Sequence, residues 1–151
     1  MSYTQNQIRK SFIDWITDIK FHNPLSVTLC LWNGMVVDFQ QTLHHFQNRL
    51  NQKLLGNRFR RFNQRHTIIP ILESIDDFPH YHLIIDNHTD IPTPQITTTI
   101  QQSWNETSKG FGKDIDVREM YGNGWINYIS KHRTKTKFDE SIDWVNCHIR
   151  D

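Results

Sequence analysis

The stretch PHYHLIIDN places two imidazoles, His80 and His82, two residues apart in an apolar run. Side chains alternate faces along a strand, so both point the same way, with Tyr81 opposite. A second Ile- and Leu-rich run, Thr67–Glu73, lies just upstream. The intervening Ser74–Pro79 contains Asp76, Asp77 and Pro79, which supply turn chemistry. The two runs therefore read as a β-hairpin, and Glu73, ending the partner strand, sets its carboxylate beside the imidazoles. Two neutral imidazoles and one carboxylate on a sheet face constitute a candidate divalent-metal site.

Tyr128 and Lys131 form the second reactive pair, one turn apart if WINYISK is helical. A phenol has a pKa of about 10, so as a nucleophile it needs a metal-polarised electrophile or a nearby cation. Lys131 can hold negative charge that develops at a phosphate. Without the histidines, a packed tyrosine ring and a solvated lysine would be the better reading. The third feature is basic. Arg58, Arg60, Arg61 and Arg65 surround Phe59 and Phe62, and Lys131, Arg133, Lys135 and Lys137 follow late in the chain. Cations interleaved with aromatics suit a nucleic-acid backbone with stacked bases; the alternative is a solvated loop anchored by its two Phe residues. His44 and His45 are adjacent on an expected helix and face different directions, which argues against a ligand pair.

These groups need elements to hold them. Ser2–Phe21 carries Ile8, Phe12, Trp15, Ile16 and Ile19 at helical spacing, and Leu25–Trp32 reads as a buried strand. Asn33-Gly34 signals a turn, with Met35–Phe39 as a return strand. Thr42–Leu55 reads as a helix capped by Thr42 and stopped by Gly56. Pro94–Ser108 reads as a second core helix through Ile96, Ile100 and Trp104, although Thr97–Thr99 weaken it. Lys113–Arg118 reads as a half-exposed strand, Trp125–Lys131 as a helix, and Ile142–Ile149 as a short amphipathic cap. At 151 residues, 22% charged and 36% hydrophobic, the chain is expected to form a single domain over 1–151. Its net charge of +1 does not by itself advertise a polyanion partner. Cys30 and Cys147 form no CxxC pair, and no apolar run approaches the ~20 residues of a membrane span, so a reducing, cytoplasmic setting is expected.

Taken in order, LSVTLCLW, PHYHLIID and NYISK resemble the three motifs of the HUH endonucleases, over roughly Leu25 to Lys131. The similarity is greatest to rolling-circle replication initiators of plasmids, single-stranded DNA viruses and filamentous-phage-like elements. The resemblance implies an α+β fold: a five-stranded antiparallel sheet with flanking helices, of ferredoxin-like or RNA-recognition-like topology. It implies Mg²⁺ or Mn²⁺ bound by His80 and His82, with Glu73 as third ligand. It also implies that Tyr128 attacks a phosphate of single-stranded or hairpin DNA, leaving a 5′-phosphotyrosine and a free 3′-OH, with Lys131 assisting. Arg58, Arg60, Arg61, Arg65, Arg133 and Lys135 would carry the strand.

The chain departs from some members of that family. It has one tyrosine in the third motif, and no Gly-rich phosphate loop, so unwinding would fall to a host helicase. Single-tyrosine transposases of insertion sequences share the histidine pair and the late tyrosine and stand second. Relaxases, with an early tyrosine, would need Tyr3, a poor candidate. Two other classes remain: a non-catalytic nucleic-acid-binding module on the same fold, and a Zn²⁺ site in a small β-barrel enzyme. The sequence argues against the latter, since no further Glu or His follows at a completing spacing unless His88 does.

Overall fold

Ile and Leu fill both faces of the central strands, so the sheet must be covered on both sides. The computed structural model describes residues 4–31, 38–73, 79–108, 115–122, 124–129 and 141–150. Its elements run α1 (Gln5–Asp18), β1 (Pro24–Cys30), α2 (Phe39–Leu55), α3 (Asn57–Phe62), β2 (Thr67–Glu73), β3 (His80–Asp86), α4 (Thr93–Ser108), β4 (Ile115–Glu119) and α5 (Gly124–Ile129). The strands form an open antiparallel sheet in the order β2-β3-β1-β4.

On one face Leu25, Val27 and Leu29 of β1 and Tyr81, Leu83 and Ile85 of β3 pack under Leu43, Phe46 and Leu50 of α2 and Ile96, Ile100 and Trp104 of α4. On the other, Ile69, Ile71 and Ile84 meet Phe12 and Ile16 of α1, Ile126 of α5 and Ile142. The chemistry-bearing ends of β2 and β3 share this second face. α1 starts in a full capping box between Thr4 and Gln7, which satisfies backbone donors of its first turn.

The outer edge of β2 is closed by the segment at 142–148. Ile68 and His148 exchange backbone hydrogen bonds of 2.8 and 2.9 Å, and the Asp143 N–H donates to Pro70 O at 3.1 Å. Pro70 therefore turns its missing N–H outward, where the β2–β3 ladder loses nothing. Tyr81 Oη donates to the buried Asp143 carboxylate at 2.9 Å, and Asn146 Nδ2 reaches the same carboxylate at 2.8 Å. Burial first, then the charge of Asp143, holds the Tyr81 phenol far above its ordinary range.

Several expectations change. The described sheet has four strands where five are expected. Phe39, taken as the end of a return strand, instead opens α2; Met35–Val37 lie outside the described residues. Asp38, not Thr42, caps that helix, accepting from the Gln41 N–H at 3.0 Å. Thr42 is already inside it, and its hydroxyl donates to Asp38 O at 2.9 Å. The basic run at 57–66, to which the sequence assigns no element, contains a helix, α3, which Gly56 separates from α2 with φ 54°.

At the far end of the hairpin, fully buried His66 contacts Asp86 O through Nδ1 at 3.2 Å, while its Nε2 is buried without a partner. Burial, reinforced by nearby His88 and Arg150, lowers its pKa to about 4. The unfolded chain thus binds a proton there near pH 6.5 and the folded chain only near 4. Stability is intact above pH 6.5 and falls as pH drops through that window, by up to roughly 3 kcal/mol at its lower end. His66→Gln should flatten the difference between urea midpoints measured at pH 7 and pH 4.5; an unchanged difference would assign the acid sensitivity to other groups.

Candidate metal centre

Strand pairing brings the predicted ligands together. In the β2–β3 ladder Glu73 lies directly opposite His80, and His82, two residues on, shares their face. Glu73 Oε2 lies 3.1 Å from His80 Nε2 and 2.7 Å from His82 Nε2. The two rings meet edge to face, with centroids 4.7 Å apart at 85°. All three ligand atoms fall within 4.8 Å of one another.

Neighbouring strands fix the orientation. Thr28 on β1 is the register partner of His82, and its Oγ1 lies 3.3 Å from His82 Nδ1. When Nδ1 carries the proton it donates to that hydroxyl, and the Nε2 lone pair faces Glu73. That is the tautomer a metal on Nε2 requires, and the hydroxyl behind the ligand is able to accept its proton. Trp125 of α5 packs edge-on against His82 at 5.3 Å, and His82 is only 4% exposed.

Above the ligands lies an open cleft of about 550 Å³, lined by Thr28, Cys30, His80, His82, Asp116, Arg118 and Trp125. Arg118 and Asp116 pair at its rim, 2.9 Å apart and solvated. Two imidazoles and one carboxylate on one side, with open space on the other, fit a divalent cation that keeps positions for a second ligand. The donor set is compatible with Mg²⁺, Mn²⁺ or Zn²⁺ and does not select among them. A half-buried carboxylate can be compensated here by imidazole N–H donors or by a metal ion.

The remaining site residues divide. The Tyr128 side chain lies outside the described residues, as do Lys131, Arg133 and Lys135; the backbone of Tyr128 belongs to α5. Arg58, Arg60 and Arg61 are exposed on α3, beside an equally exposed Phe62 (71%). Arg65 is half-buried and tied down, donating to Asn63 Oδ1 and Asn48 Oδ1 at 3.1 Å each. All four arginines precede β2, whose first residue lies about 20 Å from Glu73 at ~3.3 Å per residue. The arginines are therefore not part of the cleft. His44 and His45 diverge as expected, their rings tilted 54° apart. His88 lies at the opposite end of β3, against Asp86 at 3.3 Å, and does not join the cluster. Thr28, Arg118 and Trp125 were not read from the sequence, because only the pairing of β1 with β3 and β4, and the packing of α5 on His82, reveal their position. Among the described residues, no helix is long and apolar enough to cross a membrane.

No protein-family model, no curated protein and no solved structure matches this chain.

Manganese should raise the midpoint of thermal unfolding, by the equivalent of about 2.7 kcal/mol at a hundredfold excess over Kd. The increase should vanish in His82→Ala. Thr28→Val should weaken the metal roughly 10–100-fold by freeing the imidazole's orientation. A thermal midpoint indifferent to Mn²⁺, Mg²⁺ and Zn²⁺ would identify the cluster as a proton-sharing carboxylate–imidazole group.

Proposed function

We propose that this chain is a metal-dependent DNA nickase and strand transferase of the HUH type. The observation that carries the reading is the convergence of Glu73, His80 and His82 beneath an open cleft, with α5 packed against it through Trp125. Tyr128 follows Trp125 by three residues on that helix, a spacing at which helical residues are neighbours. A Mg²⁺ or Mn²⁺ ion held by the three ligands would supply Lewis-acid polarisation of the scissile phosphate.

The protein's own groups do the rest. Tyr128 Oη gives up its proton and bonds to phosphorus. The bond to O3′ breaks, and that oxygen leaves as a protonated 3′-OH. The phosphoester is conserved as a 5′-phosphotyrosine, ready for the reverse step. Lys131, three residues on in the sequence, would offset charge gathering on the phosphate. Trp125 and Arg118 at the cleft support an unpaired strand as substrate, since an indole face and a guanidinium accept bases without reading their sequence. Arg58, Arg60 and Arg61 would hold the backbone of that strand at a distance, with Arg133 and Lys135 supplying further charge.

A second reading has its own support. Phe62, exposed among three exposed arginines, suits a strand-binding module that cuts nothing.

One experiment separates them. A 3′-labelled single-stranded DNA library is incubated with the protein and Mn²⁺, then resolved on a denaturing gel. Label should remain on the protein at Tyr128, and Tyr128→Phe should abolish it. His80→Ala and His82→Ala should bind DNA without cutting. Binding without adduct or cleavage in the wild-type protein would favour the module. Arg60 and Arg61 changed together to Ala should lower affinity for all sequences and reduce the salt slope by about 2.

A further inference from the structure

We propose a second ligand site: a phosphoryl-binding cleft between the α3–β2 connection and the segment at 148–150, at the opposite end of β2 from Glu73. The cleft, of about 320 Å³, is lined by Asn63, Gln64, Arg65, His148, Ile149 and Arg150. Five of these six side chains are polar, two are guanidinium groups, and none is a carboxylate.

Its walls are rigid. Asn63 is held in the left-handed conformation at φ 53°, with its N–H bonded to Phe59 O at 3.0 Å. His148 pairs with Ile68 through two backbone bonds, and the Arg150 N–H donates to Thr67 Oγ1 at 2.9 Å. Arg65 is aimed by its bonds to Asn63 and Asn48 and lies over the Phe59 ring, 5.0 Å from its centroid. It enters the site pre-ordered.

Among the described residues the cationic groups are not matched by carboxylates. Arg150 Nη1 is buried and has no hydrogen-bond partner. Among the described residues neither Arg65 nor Arg150 forms an ion pair. Asp86, which ends β3 opposite Thr67, is already engaged by the N–H groups of His22 and Asn23, at 2.9 and 2.7 Å, and by His88. Leaving a buried guanidinium N–H unmade is costly, and an anion removes that cost. Two forks and two amide side chains offer more donors than one carboxylate can accept, whereas a tetrahedral phosphoryl group has enough oxygens for several. The lining offers little apolar surface for a larger organic body, so recognition is of the phosphoryl group itself. A free phosphate and a nucleic-acid backbone both present it.

The inference rests on residues remote from the metal cluster and does not depend on the cleavage chemistry. The test follows the Arg65 and Arg150 side-chain Nε–Hε NMR signals of the full chain at constant ionic strength. Inorganic phosphate and a thymidine trinucleotide are titrated separately. Saturable shifts of both arginines with either probe support the site; response to phosphate alone assigns a free ligand, and response to the trinucleotide assigns a nucleic-acid backbone. Arg150→Gln should weaken the phosphate response about tenfold, the loss of roughly one charge-assisted hydrogen bond. His82→Ala should titrate like the wild-type protein, so a failed metal centre leaves this result intact. Absence of saturable shifts with both probes overturns the site, as do shifts that persist undiminished in both Arg65→Gln and Arg150→Gln.

Discussion

The register between β2 and β3 is the constraint on which the rest depends. Glu73 meets the imidazoles only because it stands opposite His80. A slip of one residue in β3 would turn His80 and His82 into the layer formed by Leu43, Phe46 and Trp104. Hydrophobic pattern alone does not prevent the slip, since Ile68 and Ile69, and Ile84 and Ile85, load both faces equally. Polar bonds select the pairing. Asp86 fastens one end of β3 to the backbone of His22 and Asn23, and Tyr81 fastens the other face to Asp143. Unmade, each of these buried groups would cost more than a misplaced methylene.

The two carboxylates carried by β2 and β3 are compensated differently. Asp86, almost wholly buried, is surrounded by backbone N–H donors whose positions do not depend on pH. Glu73 faces imidazole nitrogens, each of which meets a carboxylate with an N–H or, as a lone pair, shares a metal with it. One end of the strand is thus a structural anchor, and the other is a site whose state depends on what the solution supplies.

Much of this arrangement is legible in the chain. Thr67–Glu73 and His80–Asp86 have sharp bounds because turn residues interrupt long Ile and Leu runs, and the expected strands match residue for residue. The Thr run in α4 is a weaker breaker than its β-branching implies, because Thr98 and Thr99 donate to the carbonyls of Pro94 and Gln95 within the helix. The start of α2 is not legible from hydrophobicity: Phe39 continues the apolar pattern of Met35–Val37, and only the Asp38 cap separates it. Arg65 reads as one of four similar arginines until its bonds to Asn48 and Asn63 set it apart. Thr28 behind His82 and Arg118 at the cleft rim are set by strand neighbours far away in sequence, which periodicity does not encode. The proximity of His22, His66 and His88 has the same origin.

Closure of β2 by the segment at 142–148 has a kinetic consequence. During synthesis α1, the sheet and most of its helical cover emerge before the residues that bond to Ile68 and Pro70. Until they arrive, a strand rich in isoleucine presents unpaired carbonyl and N–H groups along its outer side, the form of edge that recruits foreign strands. Pro70 limits this exposure by removing a donor from the middle of that edge. The same segment also brings Asp143 to the Tyr81 hydroxyl, so edge protection and satisfaction of a buried phenol are completed in one late docking event. A chain caught before that event is one whose open edge a second copy can fill with its own segment at 142–148, which is the route by which an intramolecular closure becomes an exchanged one.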